Sequence, residues 1–200
     1  MSRSTNRNYK KGQPHRDFRK FIIVAEGERE DDYFSYFQGL NKRVSVQIVE
    51  RIAGQSAVKF MIDRLDIYNY KNGIEVEDFV WFVIDVDRWR RSDIDDLNQF
   101  CDHEDNWNLS ISNICFEVWL YYHITDEIPF HLDTARKLKK TLNDLIPGGY
   151  NRDYFARLIR TAAENSRNAD PHPEHFFPIR HVTKVYTLAD RLLEFLGNNW

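Results

Sequence analysis

Two aspartates one residue apart, Asp85 and Asp87, close the apolar run Val80-Trp81-Phe82-Val83-Ile84. Carboxylates held that close repel each other unless something cationic lies between them. A divalent metal ion meets that need, and an all-oxygen donor set suits Mg²⁺ or Mn²⁺. A third acid, Glu26, follows a second apolar run, Phe21-Ile22-Ile23-Val24-Ala25, and precedes Gly27. If the two runs are neighbouring strands, Glu26 completes a three-carboxylate metal site or works as a general acid or base beside it. Acids at strand ends also occur as solvated loop residues, and an isolated Asp-x-Asp arises by chance. Two apolar runs that each end in acids, with helices between them, are harder to assemble by accident.

The elements that position these acids follow from periodicity. An unbroken apolar run reads as a strand buried on both faces, as in parallel sheets. Ligands of such sheets sit beyond the carboxyl ends of the strands. On a strand, Asp85 and Asp87 would point to the same side. The spacing predicts a helix over 29–40 that opens with Glu30, Asp31 and Asp32 and carries Tyr33, Phe34, Phe37 and Leu40. Residues 44–49 alternate as a second strand. Ser56 is a candidate N-cap for a helix with Ala57, Phe60, Met61, Leu65 and Tyr68 on one face, ended at Lys71-Asn72-Gly73. A short helix over 94–101 and a fourth strand over 107–112 come next. Asn113 is a candidate cap for a helix bearing Phe116, Trp119, Leu120 and His123. Further helices are expected over 135–145, around 154–162 and over 185–196. The expected fold is α/β, a mostly parallel central sheet of about four strands flanked by helices, with extra C-terminal helices. Residues 21–200 would form one domain.

Composition bounds the class. The 200 residues are 42% hydrophobic and 30% charged, with 14 Phe, 10 Tyr and 5 Trp, enough for a packed core. Cys101 and Cys115 are too few for a disulfide framework and have no paired metal-ligand spacing, which suits a reducing compartment. The first residues have no apolar segment of a signal peptide, and no run approaches the roughly 18 apolar residues of a membrane span. A soluble, cytoplasmic protein is expected. Of the net charge of −3, residues 1–20 contribute seven Lys/Arg against Asp17, or +6, leaving −9 for the rest. Such an arm can bind nucleic acid through phosphates, or can be a solvated, mobile terminus.

The combination of Glu26-Gly27 after the first strand and Asp85-Val86-Asp87 after the third resembles the Toprim fold of DnaG-type primases, topoisomerases and OLD-family nucleases. There the corresponding acids organise Mg²⁺ around phosphate chemistry. More narrowly, the chain resembles the RloB family, also described as AbiLii-like. The resemblance rests on residues 22–28, on Val83-Ile84-Asp85-Val86-Asp87, and on Ser112-Asn113-Ile114-Cys115-Phe116-Glu117-Val118-Trp119-Leu120 followed by His123. Ile114 stands where that family usually has proline. The resemblance covers nearly all of the chain after residue 20. It implies a Mg²⁺-dependent nuclease with a role in bacterial phage defence. It makes Glu26 a metal ligand or acid/base, and Asp85 and Asp87 metal ligands. Glu117 becomes a ligand of a second metal, as two-metal phosphoryl sites need extra acids.

Supporting residues carry two readings each. Asn113 either helps position Glu117 or the substrate, or is a plain N-cap. His123 lies among apolar residues and reads first as a buried, hydrogen-bonded histidine, with catalysis as the alternative. Arg88, Arg90 and Arg91 follow the acids and either neutralise phosphate charge or cover a solvated loop. The rival to a nuclease is a non-catalytic module that binds a nucleotide or another protein, such as an ATPase encoded nearby. A homo-oligomer is compatible with either.

Overall fold

Strict alternation along two strands builds the molecule outward from its sheet. In the computed structural model, residues 18–51 and 58–197 are described. In β1 (Arg19–Ala25), Phe21, Ile23 and Ala25 enter one core, while Ile22 and Val24 enter another. In β3 (Phe79–Asp85), Phe79, Trp81 and Val83 join the first core, and Val80, Phe82 and Ile84 the second. Successive side chains of a strand face opposite ways, so a run apolar at every position must bury both faces.

The described residues form a four-stranded, all-parallel sheet in the order β2-β1-β3-β4, with β2 at Val44–Ile48 and β4 at Trp107–Ser112. Pairing of β1 with β3 runs from Phe21 opposite Phe79 to Ala25 opposite Val83, and Glu26 N–H extends the ladder to the Val83 carbonyl at 3.0 Å. This brings the ends of the first and third strands side by side, so the condition under which Glu26 joins Asp85 is met. The expected α/β architecture, with helices on both faces and at the C-terminus, is the one observed.

Two helices, α2 (Val58–Asn72) and α3 (Arg91–Cys101), cover one face through Met61, Leu65, Ile94 and Leu97. The other face is covered by α1 (Glu28–Ser35), α4 (Glu117–Tyr121), α5 (Ala135–Leu145), α6 (Arg152–Arg157), α7 (Ile159–Asn168) and α8 (Val185–Leu196). Some boundaries differ from the periodicity. Leu40 lies beyond α1 and is exposed. The helix expected around 154–162 is two helices joined at Leu158, whose φ of −96° and ψ of 14° leave the helical range. β1 opens at Arg19, inside the expected basic arm. Arg19 pairs with Glu77 at 2.7 Å and Lys20 with Asp78 at 3.1 Å. Most of that arm (1–17) and the Ser56 cap lie outside the described residues.

Arg64 of α2 is nearly fully buried and looks like an ordinary helix arginine in the sequence. Its guanidinium donates to the carbonyls of Glu50, Ala25 and Val49 at 3.0, 2.9 and 2.7 Å. These are the last carbonyl of β1 and the carbonyls of the two residues just beyond β2. A buried polar group costs stability unless it is hydrogen-bonded. Arg64 therefore fixes the point at which the chain turns toward Glu26.

Candidate functional site

The site forms at the carboxyl edge of β1 and β3. Glu26 leaves β1, and its Oε2 accepts from the Asp85 backbone N–H at 3.1 Å and from Trp89 Nε1 at 2.6 Å. Arg88 Nε lies 3.4 Å from the other oxygen. Gly27 follows, and α1 begins at Glu28. Glu30, in the first turn of α1, folds back over Gly27. A Cβ on residue 27 would stand 2.5 Å from Glu30 Oε2, so a larger residue there would make the Glu30 carboxyl shift. Asp85 ends β3 on the face where Cys115, Phe116 and Glu117 pack. Glu117 opens α4 and is buried.

Glu26, Glu30, Asp85 and Glu117 thus line one cleft of about 420 Å³, with Phe116 and Tyr150 as apolar wall and Arg29, Arg88 and Lys139 as cations. Glu28 and Asp32 add two more acids, so six carboxylates face three cations. The imbalance shows in proton affinity. Burial, then the charges of Glu30, Glu26, Glu117 and Asp87, hold the Asp85 carboxyl well above its usual range. Burial and the charges of Glu26, Glu117 and Asp31 push Glu30 up to about 7, against a hydrogen bond from its own N–H. Glu26 is raised by burial, in spite of its bonds to Asp85 N–H and Trp89. The buried Cys115 thiol is raised by burial and by its neighbours Glu117 and Asp85. Lys139 Nζ lies 3.9 Å from a Glu117 oxygen.

Several expected site residues stand elsewhere. Asp87 does not share a strand face with Asp85. Pairing of β3 with β4 ends at Asp85 opposite Ser112, and the chain turns into a 3₁₀ helix over Val86–Arg88. Asp87 is exposed there, with its N–H donated to Ile114 O at 3.3 Å. It acts on the cleft through its charge, which raises both Asp85 and Glu26. Asn113 does not cap α4, whose N-cap position is Phe116 with no side-chain bond. Its Nδ2 donates to Pro178 O at 3.0 Å, and its N–H to Val182 O at 2.9 Å, tying the end of β4 to the loop before α8. The Asn113–Ile114 peptide is cis.

His123 is a structural residue. It is buried, 2.9 Å from both the Trp119 carbonyl and the Tyr33 hydroxyl. A carbonyl can only accept, so Nδ1 carries the proton and Nε2 accepts from Tyr33. Burial holds its pKa down to about 3, so the ring is neutral. Arg90 and Arg91 pair with Asp93 and Asp95 on α3, which leaves Arg88 as the arginine of that trio in the cleft.

Residues 21–194 match the model of the RloB-like protein family. The chain belongs to the RloB-like family. No curated protein and no solved structure matches it. In this RloB-like chain the matched span includes every acid of the cleft.

The residues present fit a hard divalent cation in their chemistry. The donors are all carboxylate oxygens, they crowd one another, and their protons are held too tightly for an isolated set. Glu26, Glu30, Asp85 and Glu117 are the groups that would hold such an ion. Their present spread is wider than one coordination sphere. Among the described residues, the only trio of potential ligand atoms within 4.8 Å of one another is His172, Glu174 and His175.

Glu30, Arg29, Lys139 and Tyr150 belong to the cleft and do not stand out in the sequence. For Glu30 a signal exists: a glutamate three residues after a glycine N-cap position points back at the helix start. Lys139 and Tyr150 arrive from α5 and the loop after it, which only the tertiary fold brings to the edge of β3.

Proposed function

We propose that this chain is a metal-dependent phosphodiesterase that cuts DNA or RNA, with the acidic cleft as its active site and phage defence as its role. The single observation carrying this reading is the convergence of Glu26, Glu30, Asp85 and Glu117 in one cleft at the carboxyl ends of adjacent parallel strands. The positions of Glu26 and Asp85 support a Toprim-like use of the sheet. A Mg²⁺ or Mn²⁺ ion bound by these carboxylates would polarise a phosphate and lower the pKa of a bound water. The chain's own residues do the rest. Arg88 stands at the mouth of the cleft to receive a phosphate oxygen, joined by Arg29 and Lys139 on the rim. Glu30 is placed to hold or give up a proton inside it. Trp89 and the Asp85 N–H fix the direction of Glu26.

A second reading is a non-catalytic module that binds a nucleotide or a partner such as an ATPase. It is favoured by the contacts already filling Glu26 and by the wide spread of the acids. Cleavage of labelled single- and double-stranded DNA and of RNA, with Mg²⁺ or Mn²⁺, separates the two. The wild type is expected to cut and Glu26→Gln/Asp85→Asn to lose at least about 100-fold in rate. A double variant that cuts as well as the wild type, or one that still protects cells although neither protein cuts, contradicts the nuclease reading.

A further inference from the structure

The loop between α7 and α8 carries a second set of ligand-type side chains, none of which lines the acidic cleft. We propose that His172, Glu174 and His175 form a binding site for a borderline divalent transition metal, Zn²⁺ foremost, independent of whatever the cleft does. His172 Nδ1 lies 3.7 Å and His175 Nε2 3.4 Å from the same oxygen, Glu174 Oε1. These separations are long for a hydrogen bond. The 3.4 Å separation falls on the edge of a coordination tetrahedron, where ligands about 2.0–2.2 Å from zinc stand roughly 3.3–3.5 Å apart, and the 3.7 Å one exceeds it slightly, within reach of a small turn of the exposed His172 ring. Two imidazoles with one carboxylate select zinc and its transition-metal neighbours over Mg²⁺.

The loop is arranged before any ion arrives. The two imidazole rings lie side by side, centroids 5.1 Å apart and 23° from parallel. Pro171 and Pro173 restrict the backbone on either side of His172. His172 N–H donates to Asp170 Oδ1 at 3.0 Å, and its carbonyl accepts from Lys184 Nζ at 2.8 Å and from His175 N–H at 3.0 Å. Asp170 is itself held by Lys184 and Tyr186. A site already arranged loses little freedom on binding, which favours affinity. All three side chains are exposed, so an ion can enter freely and keep water in its remaining positions. The same loop continues to Pro178, whose carbonyl holds Asn113. An ion at His172 would therefore stiffen the support behind the turn from β4 to α4.

The test is calorimetric titration of the metal-free, full-length protein with Zn²⁺ and, separately, with Mg²⁺, and the visible absorption of its Co²⁺ form. One Zn²⁺ is expected to bind in a Glu26→Gln/Asp85→Asn background, where the cleft is disabled, and Co²⁺ should show the intense bands of a four-coordinate ion. His172→Ala/His175→Ala should weaken Zn²⁺ by at least about 100-fold and Glu174→Gln by about 10-fold or more, in proteins that unfold at the wild-type temperature when metal-free. Failure of Zn²⁺ to bind the cleft-disabled protein overturns the proposal. So does equal Zn²⁺ affinity in the histidine double variant.

Discussion

Asp170 and Asp85 are aspartates of the same chain with opposite surroundings. Asp170 accepts from Lys184 Nζ at 2.5 Å, Tyr186 OH at 2.7 Å and His172 N–H at 3.0 Å. Burial works to raise its pKa, but these bonds outweigh it and the carboxyl is held below its usual range. Asp85 has burial and four neighbouring carboxylates, and everything acting on it raises it. The first arrangement is complete within the protein and serves the fold, fastening α8 to the loop after α7. The second has more carboxylates than cations, with Arg29, Arg88 and Lys139 set against six acids. One buried carboxylate is satisfied three times over, while acids crowd at the edge of β3, and perturbed groups of that kind cluster at functional sites.

The contrast can be broken by removing charge from each region in turn. Asp170→Asn should destabilise the protein by about 3–5 kcal/mol in urea unfolding, because Lys184 would be left buried without its counter-charge. If it costs nothing, the Asp170 network does not fasten α8 to the loop after α7.

A pH series sharpens the comparison. Glu30 rises from an ordinary 4.5 to about 7 on folding, so between those values the folded state binds more protons than the unfolded one. Its contribution is complete below pH 4.5 and lost as pH rises through 7, about 3 kcal/mol in all. Asp170, with a lowered pKa, works the other way, and its contribution is lost as pH falls through its folded value. Metal-free protein should therefore lose stability from pH 5 to pH 7.5, and Glu30→Gln should flatten that fall. An equal fall in Glu30→Gln would assign it to other groups.

The smallest effect has the most telling sign. Asp85→Asn keeps the shape and removes one of the repelling charges. It should stabilise the metal-free protein at pH 7.5, because burial and four neighbouring carboxylates all oppose the charge it removes. Thermal unfolding reads this directly, and a fall in melting temperature would mean that Asp85 is already compensated.

The sheet was legible because β1 and β3 are apolar at nearly every position, which only a strand buried on both faces tolerates. That also brought Glu26 and Asp85 together correctly. Asp87 was misplaced because alternation holds only while a strand has a partner, and β3 loses its partner at Ser112. Asn113 looked like a cap, but its bonds run to Pro178 and Val182, some 65 residues away in the chain. The same blindness to distant contacts hid Arg64, Lys139 and Tyr150. His123 was readable as buried because Phe116, Trp119 and Leu120 surround it at helical spacing, although α4 itself lasts only from Glu117 to Tyr121.

On the proposed function, the crowded acids of the cleft await a divalent cation. Titration of Mn²⁺ into metal-free protein at pH 7.5, followed by calorimetry and by the rise in melting temperature, addresses it most directly. The wild type should bind Mn²⁺ and be stabilised by it, while Glu26→Gln/Asp85→Asn should bind at least about tenfold more weakly and gain little. Equal Mn²⁺ affinity in the two proteins, or a wild type that Mn²⁺ leaves unchanged, would contradict the account.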